Sequence, residues 1–143
     1  VNLIVEGIKY QLHAKKRQGI HSPFVYRLAD NGLQIKIKKE HKRVLNAFDF
    51  KQRKDERILT VTDLGAGSKT LGNQRSVNQI HKTSTSGKRY GTLLYRLCKH
   101  FEPSRILELG TSLGRGTLAM HLGYQAAEII SIEGSFISFI TPK

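Results

Sequence analysis

The sequence predicts an α/β fold in which a helical N-terminal region leads into a strand, turn, helix, strand unit. Three observations carry this prediction. Short aliphatic and β-branched runs at Ile58-Leu59-Thr60-Val61-Thr62, Arg105-Ile106-Leu107-Glu108-Leu109 and Ile129-Ile130-Ser131-Ile132 each stop at a Gly or an acid, as strands do at turns. Between the second and third runs lie a tight Gly-bearing turn over residues 111–116 and a helical stretch from Thr117 to Leu122, together about the usual length of a βαβ unit. Ahead of the first run the chain is basic, and its apolar residues recur at helical rather than alternating spacing.

Taken in order, residues 3–33 read as helix-rich, with breaks at Gly19 and Pro23. Ser22 is placed to cap a helix whose first residue is Pro23, because its hydroxyl can accept from a first-turn N–H and Pro has no N–H needing a partner. Phe24, Val25 and Leu28 give that helix an apolar face, and Val44, Leu45 and Phe48 mark a second amphipathic element within residues 33–57. The strand at 58–62 ends on Asp63-Leu64-Gly65-Ala66-Gly67, and the polar residues 68–87 read as a loop or short helix. A helix from Tyr90 to His100 is stopped by Pro103. The following helix fades at Gly123, and the last strand closes on Glu133-Gly134. A right-handed crossover makes the strands at 105–109 and 129–132 parallel, so both C-terminal ends face one crevice. The chain divides accordingly into a helical, basic region, 1–57, and a strand-bearing unit, 58–143.

At 143 residues and 38% apolar content, one compact domain is the ceiling. A net charge of +13 draws the surface toward phosphate-rich partners, anionic membranes or acidic substrates, and charge does not choose among them. The basic clusters at Lys15-Lys16-Arg17, 36–43 and 51–54 are spread out, and residues 64–101 contain no Asp or Glu. The expected reading is solvated helix faces; an RNA- or DNA-binding module is the alternative, although aromatic residues are not interleaved with the basic runs as a stacking surface requires. The single Cys98 excludes an intramolecular disulfide and a multi-cysteine metal site, which points to the cytoplasm. Its helical spacing with Leu94, Leu97 and Phe101 places it in the core. His13, His21, His41, His81, His100 and His121 show no metal-binding spacing, so no metal is expected, and His21 is read as a neighbour of the Ser22-Pro23 turn ahead of a general base. No run reaches the roughly 20 apolar residues of a membrane span.

Two Gly-rich turns follow apolar strands, and the acid expected about 20 residues downstream separates them. Glu133 fills that place for the turn at 110–116, where a carboxylate can accept from ribose hydroxyls; after Asp63 the next acid is Glu102. The turn lacks both the P-loop spacing and the Gly-x-Gly-x-x-Gly of dinucleotide sites, since Thr111 and Ser112 separate Gly110 from Gly114. A nucleoside bearing an amino-acid tail fits better than a pyrophosphate.

Ile106-Leu107-Glu108-Leu109-Gly110-Thr111-Ser112-Leu113-Gly114 resembles the first motif of class I S-adenosylmethionine-dependent methyltransferases, in the form found among small-molecule O-methyltransferases. Gly19-Ile20-His21-Ser22-Pro23-Phe24-Val25-Tyr26, Asp63-Leu64-Gly65-Ala66-Gly67-Ser68 and Ile132-Glu133-Gly134 are similar, in that order, to a bacterial group of largely uncharacterised methyltransferases. The resemblance implies a partial Rossmann-like methyltransferase fold and S-adenosylmethionine as cofactor. It implies that Gly110, Thr111, Ser112 and Gly114 line the methionine part, that Glu133 holds the ribose and that Glu108 braces the turn and sits near the cofactor's amino group. Gly116 stands where many relatives carry a hydroxyl, a contact that Thr117 is expected to supply. No catalytic residue or methyl acceptor is identified, because in the family these positions follow the third or fourth strand. The tail Ser135-Phe136-Ile137-Ser138-Phe139-Ile140-Thr141-Pro142-Lys143 does not resemble the family's next helix. The resemblance therefore implies a truncated methyltransferase that binds cofactor without efficient turnover. A separate reading makes the chain no independent functional unit, with an apolar sheet edge exposed where missing strands would add and open to self-association.

Overall fold

The computed structural model describes residues 3–13, 21–61, 73–134 and 137–139. The Lys15-Lys16-Arg17 cluster, the break at Gly19, the Asp63 to Gly67 turn and much of the tail lie outside the described residues. Within them the architecture is mixed α/β, with helices and two small sheets.

Helix α1 (Leu3–His13) is exposed along its described side chains. The Ser22 hydroxyl accepts from the Val25 amide at 3.4 Å and Pro23 opens α2 (Pro23–Asp30), so the cap forms as its chemistry requires. Phe24 of α2 stacks on Phe101, with ring centroids 5.7 Å apart. A single 3-10 turn, Gly32–Gln34, then leads into α3 (Lys39–Lys54). The buried stripe of α3 is Leu45 and Asp49, while Val44 turns outward. This corrects the expected apolar face: the position one turn after Leu45 carries a carboxylate, and a partner on another element holds it inside.

Strand β1 (Ile58–Val61) is central to an antiparallel sheet, flanked by β2 (Gln74–Ser76) and β5 (Ile137–Phe139). Strand β2 replaces part of the expected loop. Its residues, Gln-Arg-Ser, have no apolar alternation, and the strand exists because Ile58, Leu59 and Thr60 pair with Ser76, Arg75 and Gln74. The expected short helix is α4 (Val77–Thr83), whose start is fixed by the Ser76 amide donating to the Gln79 side chain at 3.0 Å. Helix α5 (Lys88–Phe101) ends at Glu102, which takes a left-handed φ of 45° just before Pro103.

Strand β3 (Arg105–Leu109), helix α6 (Arg115–Gly123) and strand β4 (Glu128–Ile132) form a parallel strand, helix, strand unit in register from Arg105 opposite Glu128 to Leu109 opposite Ile132. Helix α6 packs on α5 and α3, and α3 also packs on α4. One core cluster joins Leu45, Tyr95, Ala119 and Leu122; the other joins Leu59, Val61, Val77 and Ile80. At the α5–α6 crossing a Cβ on Gly123 would stand 2.6 Å from the Tyr95 carbonyl oxygen and 3.0 Å from the Cys98 Cβ, so only glycine permits this approach. Cys98 is buried there, and burial pushes its thiol pKa up, which suits packing rather than nucleophilic chemistry. Phe101, expected beside it in the core, is instead exposed and meets Phe24.

Leu107, Leu109, Ile130 and Ile132 share the other face of the parallel pair and remain exposed, Leu109 by 76%. Among the described residues no helix is long and apolar enough to cross a membrane.

Candidate functional site

The turn between β3 and α6 begins where the Gly110 amide donates to the Ile132 carbonyl at 2.8 Å, which ties its first residue to the end of β4. Gly110 and Gly114 take φ values of +88° and +82°, and Ser112 takes +50°. For an L-residue such as Ser112 the left-handed region costs about 1–2 kcal/mol. Glu133 offsets this: its Oε2 accepts from the Ser112 amide at 2.7 Å, and a hydrogen bond to a charged group contributes about 1.5 kcal/mol or more. The residue after β4 thereby holds the turn after β3, a contact that the parallel register makes possible.

Behind the turn a hydrogen-bonded chain runs through Glu108. Its Oε2 accepts from the Thr117 hydroxyl at 2.5 Å and from the Ser131 hydroxyl at 2.6 Å. Because the single Ser131 proton is given to Glu108, Thr111 is the donor in its bond to Ser131. Glu108 thus fixes β4, the turn and the first turn of α6 together. Its other oxygen lies where a side chain on residue 116 would go: a Cβ on Gly116 would stand 2.7 Å from Glu108 Oε1. Thr117, expected to face a ligand, instead spends its hydroxyl on Glu108.

Over the turn itself there is room. A Cβ built at Gly110 or Gly114 meets nothing within 4 Å among the described residues. The Ser112 Oγ is buried with no hydrogen-bond partner there, an arrangement that is costly unless something else satisfies it. Leu113 anchors the turn from below by packing on the cluster of Leu59, Val61, Val77 and Ile80. A cleft of about 380 Å³ runs between Ser112 to Gly114 and an opposite wall that includes Gln52, Leu59 and Val77.

Of the residues singled out from the sequence, Glu108, Gly110, Thr111, Ser112, Gly114, Thr117 and Glu133 are gathered in this one turn and its supports. His21 lies exposed before the α2 cap. Sequence reasoning missed Asp49 and Arg115. Arg115 opens α6 directly after Gly114, and its Nε donates to Asp49 Oδ1 at 2.7 Å while Nη2 donates to Oδ2 at 3.2 Å. Its Nη1 donates to the Ser86 and Gly87 carbonyls at 2.9 and 3.2 Å. Both ionic side chains are buried, so the pair pins α6 and the turn to α3. The available signal was an acid four residues after Leu45 on an otherwise apolar helical stripe.

Comparison of the chain with protein-family models, with curated proteins and with solved structures gives no match.

Proposed function

We propose that the turn from Gly110 to Gly114, with Glu133, is the nucleoside site of a Rossmann-like methyltransferase unit that binds S-adenosylmethionine. The observation that carries the reading is the Glu133 carboxylate seated on the turn through the Ser112 amide, which sets a ribose-type acceptor beside a Gly-rich strand exit and a helix start. The unfilled positions over Gly110 and Gly114 and the buried, unpartnered Ser112 Oγ suit a ligand that approaches the backbone closely. Glu133 would accept from the ribose hydroxyls, Ser112 would satisfy its hydroxyl on the amino-acid tail, and the glycines would admit that tail against the backbone. Glu108 acts behind them, as the group that keeps Thr111 and the start of α6 in place. The cofactor, when bound, supplies a methyl group activated by attachment to sulfonium. Orientation of that group is the contribution of the turn.

The test is calorimetric titration with S-adenosylhomocysteine, for the unaltered chain and for Glu133→Ala. Micromolar binding that weakens by about tenfold or more in the variant is expected, the scale of losing hydrogen bonds to a charged group. Glu133→Gln separates shape from charge by keeping an acceptor oxygen at the turn. If the folded chain does not bind, or if Glu133→Ala binds as well as the unaltered chain, the reading fails.

A second reading, binding of single-stranded RNA or DNA, is favoured by one observation on α3. Phe50 is 61% exposed, the Lys54 ammonium lies 4.4 Å from its ring centroid, and Lys51 lines the same hollow. This reading predicts a gel shift whose affinity falls steeply with salt and whose log–log slope flattens in Lys51→Gln/Lys54→Gln. An absent or salt-insensitive shift removes it.

A further inference from the structure

A second polar pocket, of about 390 Å³, lies where α3, the end of α4 and the start of α5 meet, and neither reading above uses it. His81 forms part of its wall with a side chain only 8% exposed. The His81 Nδ1 is buried without a hydrogen-bond partner among the described residues, and so is Oγ1 of Thr85, which lines the same pocket. On the other side of the ring Nε2 stands 3.8 Å from Asp49 Oδ1, beyond hydrogen-bond reach. Asp49 already receives two hydrogen bonds from Arg115. Two buried polar atoms at one cavity, His81 Nδ1 on a side chain only 8% exposed and Thr85 Oγ1 on a half-buried residue, both unsatisfied, point to a ligand that supplies the missing partners.

The charge around them selects its sign. Arg53, Lys82 and Lys88 line the pocket as exposed cations with no ion-pair partner among the described residues, and the carboxylate present, Asp49, is neutralised by Arg115. Helix α5 adds to this field, since it starts beside the pocket with neither a side-chain cap on Gly87 nor an acid in its first turn. A metal ion would be repelled by these cations. A compact oxyanion would be attracted by them and could accept from both the imidazole and the threonine hydroxyl.

We propose that this pocket binds a phosphate-type dianion, either free phosphate or the phosphoryl group of a small phosphorylated molecule, and that binding is coupled to uptake of a proton by His81. In the absence of an anion, burial holds the His81 pKa below its ordinary 6.5; Asp49 opposes this, and Arg53 and Arg115 reinforce it. The other charged groups at the pocket, Lys82 on α4 and Lys88 on α5, are also cationic. A dianion at the imidazole reverses that balance: protonated His81 donates from Nδ1 to the oxyanion and turns Nε2–H toward Asp49. The depressed pKa also means that the unfolded chain takes up this proton first as pH falls below 6.5. Without anion, stability drops with pH through that window and levels once folded His81 titrates; bound anion counters the drop. The inference does not rest on the cofactor reading.

Sulfate is the first probe, because it stays a dianion throughout the range in which imidazole titrates. The His81 titration is followed by NMR of its ring in the unaltered chain. Saturable elevation of its pKa by sulfate is expected, with binding severalfold tighter near pH 5.5 than near pH 8, the full limit being about tenfold for each unit by which the pKa rises. Lys88→Gln and Thr85→Val are expected to weaken binding, and His81→Gln to remove its pH dependence. Competition by inorganic phosphate and by glycerol phosphate then identifies the source: a large advantage for the ester assigns a phosphorylated metabolite, and equal competition assigns free phosphate. A His81 titration that saturating sulfate leaves unmoved overturns the proposal, as does sulfate binding that is equally tight at both pH values. The ring measurement needs no variant, so misfolding of a mutant cannot obscure the result.

Discussion

Replacing Arg115 by methionine is expected to destabilise the chain by about 3–5 kcal/mol, the cost of stranding a buried charge without its partner. Asp49 would be left with a side chain only 6% exposed, and the His81 ring, with Nε2 at 3.8 Å, is too far for a hydrogen bond. The Ser86 carbonyl would lose the Arg115 donor as well, and the Gly87 carbonyl would keep only the Gly91 amide. Such a loss is a large part of the roughly 5–15 kcal/mol that separates folded from unfolded domains. It should be read in urea as a lowered midpoint at unchanged slope. Asp49→Leu combined with Arg115→Met is expected to recover much of it, because a well-packed apolar pair often replaces a buried ion pair without net cost. A single-variant cost below about 1 kcal/mol would show that the pair behaves as a solvated surface bridge and does not pin the turn.

Tyr95→Ala is expected to cost a comparable amount, about 3–5 kcal/mol, as for other buried aromatic side chains cut to alanine. Tyr95 is 1% exposed and sits among Leu45, Ala119 and Leu122, so its loss opens a cavity between α3, α5 and α6. Its hydroxyl lies 3.1 Å from His41 Nδ1, and Tyr95→Phe removes that bond alone, at about 0.5–1.5 kcal/mol. Urea unfolding of both variants separates packing from hydrogen bonding. Equal losses would mean that the hydroxyl, not the ring, holds this crossing together.

The elements that could be read from the sequence are those whose local chemistry and long-range packing agree. Ser22 and Pro23 start a helix by themselves, Pro103 prevents α5 from continuing, and Arg105 to Leu109 has the aliphatic content of a strand. Strand β2 could not be read, because Gln74, Arg75 and Ser76 become a strand only by pairing with β1. The same holds for the site. Gly110, Gly114 and Glu133 are visible as a spacing, whereas the Thr111, Ser131, Glu108 and Thr117 chain requires β4 to lie parallel to β3 in a particular register. Asp49 and Arg115 are 66 positions apart, and the pocket at His81 needs three helices brought together. No local pattern encodes such meetings; helix packing produces them.

The central claim, that the Gly110 to Glu133 turn receives the cofactor, is tested most directly by recording backbone amide NMR spectra while S-adenosylhomocysteine is added to the unaltered chain. Saturable shifts at Gly110, Thr111, Ser112, Gly114 and Glu133 are expected, with β2 and the outer face of α2 unmoved. A spectrum that does not change, or one whose changes are confined to the basic ends of α3 and α4, would contradict it.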